Sequence, residues 1–291
     1  MSDSFAGDGI VITDFGGSSE VGTSLAVQAD GKIVLGGLRY MSDEAFFAVA
    51  RYNADGSLDT SFSSDGLVTT SRDEVPGTVS LNGELQGLGG ISVASQADGK
   101  IVLSGTSLNP VGEYVFALVR YNADGSLDST FSGDGIVRTD VSPGDDYSRD
   151  MVIQPDGKIV SVGTNDAGRI DVDGFIFGGL NFAVTRHNSD GTLDTSFAGN
   201  GKAIFDFSYF GDPWPSADIG GSVALQADGK ILVSGNSGLS TPGFALVRYN
   251  ANGTLDTSFS YDGKVQFFDY DSYSSGLGSG YAKDDGAYIP V

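Results

Sequence analysis

The chain contains no cysteine, so disulfides, thiol catalysis and thiolate metal sites are all excluded. Histidine occurs once, at His187, and one histidine without cysteine lacks the parts for a zinc site or for a Ser-His-Asp or Cys-His relay. No apolar run approaches the roughly 18 residues that a membrane-spanning helix requires. The opening Met-Ser-Asp-Ser-Phe lacks the basic and apolar regions of a secretory signal. Export would then need a leader outside these residues or a route without one; otherwise the protein stays inside the cell. Positive charge is scarce as well: 16 Lys and Arg against 38 Asp and Glu give a net charge of −22. Such a field repels phosphate backbones and argues against nucleic acid as a partner.

Glycine is abundant, 44 of 291 residues, and Val, Ile, Thr, Phe and Tyr fill the stretches between glycines. That composition points to many short strands joined by tight turns. Two signatures recur four times. Arg-Tyr-Asn-Ala-Asp-Gly-Ser-Leu-Asp begins at Arg51 and again at Arg120, with variants at Arg186 and Arg248. Each is followed by Phe62, Phe131, Phe197 or Phe259. Gln-Ala/Pro-Asp-Gly-Lys, followed by an apolar run, ends at Lys32, Lys100, Lys158 and Lys230.

In the first repeat, alternation and turn signals predict strand a over Ser24–Gln28 and strand b over Lys32–Leu38, joined at Asp30-Gly31. Strand c is expected over Phe46–Asn53 and strand d over Gly66–Thr70. Four antiparallel strands per unit at this period, without helices, is the pattern of propeller blades. The fold class expected is an all-β propeller forming a single domain over residues 1–291. Gly9–Thr13 reads as a leading strand d, and residues 281–291 as a degraded a–b hairpin with Asp285-Gly286 at its turn. Joined, they would make a composite fifth blade that closes the ring. Pro290 inside that last strand weighs against this, and the alternatives are a piece of a longer array or four blades with loose ends.

The two signatures resemble the delta-60 repeat family of bacterial β-propeller proteins, carried by Gln154–Lys158 and by Asn53–Phe62. The resemblance covers nearly the whole chain. It implies a propeller in a bacterial, often extracellular or cell-surface setting, and no known activity.

The scaffold lengths are fixed while some loops vary. Each repeat Arg precedes the glycine of strand d by 15 residues. The d–a link, counted from that glycine to the turn Lys, is 23, 34, 23 and 29 residues, and the b–c stretch is 19, 20, 28 and 18. In up-and-down blades these two loop sets share one face, so one face varies and is the expected binding side for glycan, protein or other copies of the chain. It would carry Asp73 and Glu74 in the first long link, Asp166, Asp171 and Asp173 in the loop from Thr164 to Asn181, and Tyr209, Phe210 and Asp212 around the sole tryptophan, Trp214. A proline-framed aromatic there suits sugar or protein contact, or equally a plug at the end of the propeller channel. The expectation is therefore a non-catalytic module, with a glycosidase-like use of two loop carboxylates as the alternative. No cofactor is expected. Asn53, Asp55 and Asp59 mimic a calcium loop, but Arg51 stands where its first acidic ligand belongs, which disfavours calcium. A structural role is expected instead, with Arg51 paired to a carboxylate such as Asp59.

Overall fold

The structure is a computed structural model, and it describes residues 7–17, 19–41, 44–70, 90–166, 170–172, 175–177, 179–207, 217–238 and 243–267. Four four-stranded antiparallel sheets follow one another along the chain. Blade 1 comprises β1 (Ser19–Val27), β2 (Ile33–Met41), β3 (Glu44–Tyr52) and β4 (Leu67–Thr69). Blade 2 comprises β5 (Ser92–Ser95), β6 (Ile101–Leu108), β7 (Tyr114–Tyr121) and β8 (Ile136–Thr139). Blade 3 is built from β9 (Asp146–Ile153), β10 (Ile159–Asp166), β13 (Leu180–His187) and β14 (Lys202–Phe205). Its b–c insertion folds into a two-stranded ribbon, β11 (Ile170–Val172) with β12 (Phe175–Phe177), where the sequence suggests only a long loop. Blade 4 comprises β15 (Ile219–Leu225), β16 (Ile231–Ser237), β17 (Gly243–Tyr249) and β18 (Lys264–Phe267). The described residues form no helix, and none is long and apolar enough to cross a membrane.

The strands run where the alternation places them, with two instructive differences. Strand a begins at Ser19, five residues before the expected start, because the register shifts between Gly22 and Ser24. A bulge breaks the period-two pattern, so the sequence shows only the half of the strand beyond it. The a–b turn is also longer than a two-residue hairpin. Gln28 N donates to Lys32 O at 2.8 Å and Gly31 N to Gln28 O at 2.9 Å, leaving three residues in the loop with Gly31 at φ 84°. Glycine takes this left-handed position without steric cost.

The two signatures meet in space. Asp59, from the c–d connector, accepts Arg51 Nε at 2.7 Å and lies 3.0 Å from the ammonium of Lys32, the last residue of the a–b turn. Burial alone would raise the Asp59 carboxyl; hydrogen bonds from Ser61 and Lys32 and the charge of Arg51 hold it well below the usual carboxylate range. The same triad forms as Arg120–Asp128–Lys100, Arg186–Asp194–Lys158 and Arg248–Asp256–Lys230. Each guanidinium also lies over its own blade's phenylalanine, 4.6 Å from the Phe62 centroid in blade 1.

From this anchor each blade grips the next. Arg51 Nη1 donates to the carbonyl of Ala123 at 2.7 Å, and Ser63 N to the carbonyl of Asp124 at 2.8 Å. Phe62 is fully buried against Gly125, where a Cβ would fall 2.9 Å from Ser63 N. At the edge, Thr70 and Tyr121 share a hydrogen bond between their hydroxyls, and Thr139 Oγ1 lies 2.8 Å from His187 Nε2. His187 thus stands in a tyrosine position as a packing group. At the junction of blades 3 and 4, Phe205 replaces the threonine and the Tyr249 hydroxyl has no partner among the described residues.

Four blades are described. The leading Gly9–Thr13, expected as a strand, forms no ladder, yet Thr13 Oγ1 accepts the Tyr52 hydroxyl at 2.7 Å, the bond that Thr70 makes with Tyr121 one blade later. The segment therefore lies in the place of a preceding strand d without a strand c to pair with. Residues 281–291, the expected a–b hairpin, lie outside the described residues.

Candidate functional site

The loops that vary in length end on the side of the blades opposite the Arg clasps. The candidate binding residues Asp73, Glu74, Asp173, Tyr209, Phe210, Asp212 and Trp214 lie outside the described residues, and Asp171 is described only as a backbone position of β11. Of the expected set, Asp166 is placed, at the end of β10.

Around Asp166 the structure gathers residues that the length comparison did not single out. The d–a link between blades 2 and 3 carries Asp145, whose backbone carbonyl accepts Asp166 N at 2.7 Å. The Asp145 carboxylate accepts Tyr114 N at 2.9 Å and the Tyr147 hydroxyl at 3.3 Å. Tyr114, at the b–c end of β7, and Tyr147, on β9, stack with ring centroids 5.5 Å apart and planes tilted by 36°. Burial, followed by the charge of Asp145, raises both phenols above their ordinary value. Both hydroxyls therefore stay protonated and able to donate at any physiological pH.

Asp146 is fully buried beside them. It accepts Val141 N at 2.6 Å and Asn165 Nδ2 at 2.7 Å, and burial pushes its carboxyl up to about 7. Asp218 occupies the same position one blade later, fully buried and accepting Phe207 N at 2.6 Å. Both pin the end of strand d to the start of the next strand a, and neither offers surface to a substrate. Their recurrence 12 residues before Lys158 and Lys230 is the signal that marks them as parts of the scaffold.

On the inner strands, Asp150 joins three blades. Its carboxylate accepts Ser92 Oγ of β5 at 2.9 Å, and Ser222 Oγ and Val223 N of β15 at 2.7 and 3.0 Å. A carboxylate that accepts from strands of both neighbouring blades acts as a strut.

The three residues considered for calcium each have protein partners. Asn53 Nδ2 donates to Ser57 Oγ at 3.0 Å, Asp55 accepts Ser57 N and Oγ at 2.9 and 2.6 Å, and Asp59 is held by Arg51 and Lys32.

Four segments of the chain match one family model. The family is described as a domain of unknown function (DUF5122) with a β-propeller fold, and the matched residues are 28–62, 96–131, 168–197 and 226–259. Each match ends at the phenylalanine of a clasp. No curated protein matches the chain. Among solved structures, the chain is similar to a thermostable family-43 glycoside hydrolase at 12% identity, over 87% of this chain and 80% of that one, with a TM-score of 0.44. An unknown-function protein from Dyadobacter fermentans DSM 18053 aligns at 12% identity, over 81% of this chain and 67% of that one, with a TM-score of 0.47. An endo-arabinase from Bacteroides thetaiotaomicron VPI-5482 aligns at 11% identity, over 86% and 80%, with a TM-score of 0.45. At these TM-scores the likenesses carry no weight for activity or substrate.

Proposed function

We propose that the protein is a non-catalytic binding module of an extracellular or cell-surface protein, taking a neutral glycan on the face built from the d–a and b–c loops. The observation that carries this reading is Tyr114, half-exposed on that face, backed by the buried ring of Tyr147 and lying beside Asp145 and Asp166. Aromatic faces meet the C–H surface of a sugar ring at small entropic cost, and flanking carboxylates accept its hydroxyls. The net charge of −22 disfavours polyanionic ligands. A glycosidase would need two carboxylates open to a cleft, and the carboxyl raised to about 7, Asp146, is sealed in the scaffold.

Affinity electrophoresis against a panel of neutral polysaccharides tests the reading. At least one should retard the protein, and Tyr114→Ala should reduce that retardation by about tenfold in Kd while leaving the melting temperature within a few degrees. Retardation unchanged by Tyr114→Ala, or no retardation by any of the panel, would remove the loop face as a glycan site.

A further inference from the structure

The contact between successive blades is made three times, and its donor half occurs a fourth time with no occupant among the described residues. Four residues before each clasp Arg stands a phenylalanine, and the exposures of Phe47, Phe116, Phe182 and Phe244 are 1%, 2%, 0% and 77%. The clasp phenylalanines Phe62, Phe131 and Phe197 are fully buried, whereas Phe259 is half-buried. Arg51, Arg120 and Arg186 each donate to a carbonyl of the next blade, at Ala123, Ser189 and Ala251. Among the described residues Arg248 bonds only within its own blade, to Asp256 and Ser258. Ser260 nevertheless holds φ 49°, matching the 52°, 53° and 51° of Ser63, Ser132 and Ala198, whose N–H groups donate to the next connector. The outward face of blade 4 is thus set in the gripping conformation.

What it grips is defined by the three filled copies. The occupant must offer the carbonyls and the glycine of an Asn-x-Asp/Asn-Gly connector, and a glycine in strand b to admit the phenylalanine ring. At Gly105 and Gly235 a Cβ would fall 2.5 and 2.8 Å from Phe47 and Phe182. Residues 268–291 hold no Asn-x-Asp/Asn-Gly sequence. Blade 1 holds every part: Asn53-Ala54-Asp55-Gly56, Tyr52, and Gly37 at the position of Gly105. Among the described residues its outward face carries no full blade. Residues 7–17 lie there instead, tied by Thr13 to Tyr52 and flanking a half-open cavity of about 150 Å³ lined by Val11, Phe15, Val21 and Leu35. Ile10 and Ile12 of that segment, and Leu25 and Val27 of β1, are 65% to 93% exposed. A segment without a ladder that leaves a cavity beneath it is held by little and can be exchanged.

We propose that blade 4 of one copy docks on blade 1 of a second copy, continuing the blade-to-blade contact across chains, with β18 taking the place of the leading segment. The contact is heterologous, so it builds either a closed ring of copies or an open filament. It is independent of the glycan reading, because it uses the edges of the array and not the loop face.

The absence of cysteine makes the test direct. Ser260→Cys and Asp55→Cys variants of the 291-residue chain are mixed under mild oxidation, with Asp228→Cys as an exposed control on blade 4. The mixed 260–55 disulfide should form about tenfold faster than any pair involving position 228. In sedimentation equilibrium the unmodified chain should self-associate, more strongly at about 0.5 M salt because screening weakens the mutual repulsion of acidic copies. Phe244→Ala and Arg248→Ala should each raise the dissociation constant by about tenfold. A monomer at every concentration and salt, or association indifferent to both substitutions, would overturn the proposal. So would a Ser260→Cys/Asp55→Cys double variant that closes its disulfide within one chain on dilution, since blade 4 would then meet blade 1 of its own copy.

Discussion

Replacing His187 by tyrosine should remove the stability that this side chain costs the protein as the pH falls from 6.5 to 4. His187 is 1% exposed, and burial, aided by the charge of Lys202, lowers its imidazole to about 4. In the unfolded chain the same group takes up its proton near 6.5. Between these values the unfolded state binds the proton and the folded state does not, so folding stability is complete above 6.5 and is lost as the pH falls toward 4. An interval of about 2.5 pH units at about 1.4 kcal/mol each amounts to about 3.5 kcal/mol, of which about 3 kcal/mol is lost by pH 4, where the folded imidazole is half protonated. Tyrosine, the residue at the equivalent positions 52, 121 and 249, carries no charge in this range and can meet the Thr139 hydroxyl as Tyr121 meets Thr70. Asp146 works in the opposite direction: its carboxyl is raised to about 7, so its contribution is present at low pH and lost as the pH rises from about 4 through 7. Both proteins share that slope, and it cancels in the difference. Urea unfolding of the two proteins at half-unit steps from pH 4 to 7.5 yields the difference curve. It should be level above 6.5 and change by about 3 kcal/mol in favour of His187→Tyr by pH 4. Parallel curves over the whole range would show that His187 carries its proton inside the fold, and would refute the reasoning.

Two further substitutions separate filled from unfilled junctions. Arg120→Ala leaves the buried Asp128 with Lys100 as its remaining ion-pair partner beside the bonds from Thr130, and removes the bond to Ser189, so it should cost about 3–5 kcal/mol in urea unfolding. Arg248→Ala, at the more exposed clasp, should cost no more than about half of that in dilute solution. Phe47→Ala should cost about 3–5 kcal/mol by opening a cavity against Gly105, whereas Phe244→Ala at the same repeat position should lie within about 0.5 kcal/mol of the parent when measured in dilute solution.

The sequence by itself determined the blade. Alternation, the Asp-Gly-Lys turns and the fixed spacing from Arg to the glycine of strand d specify four strands per repeat, because these are local rules of period and turn geometry. The pairing of Arg51 with Asp59 was legible too, since the two charges recur together at one spacing. Tertiary structure decided what lies between repeats. The bond from Lys32 to Asp59, the grip of Arg51 on Ala123, and the strut from Asp150 to Ser92 and Ser222 join residues far apart in the chain, and no periodicity reports their approach. The Tyr114–Tyr147 pair was missed for the same reason. Each tyrosine ends or begins an ordinary strand, and only the packing of blade 2 on blade 3 brings the rings together. Phe244 is a like case: it holds the repeat position of the buried Phe47, Phe116 and Phe182, and its exposure follows from the lack of a next blade on its face among the described residues.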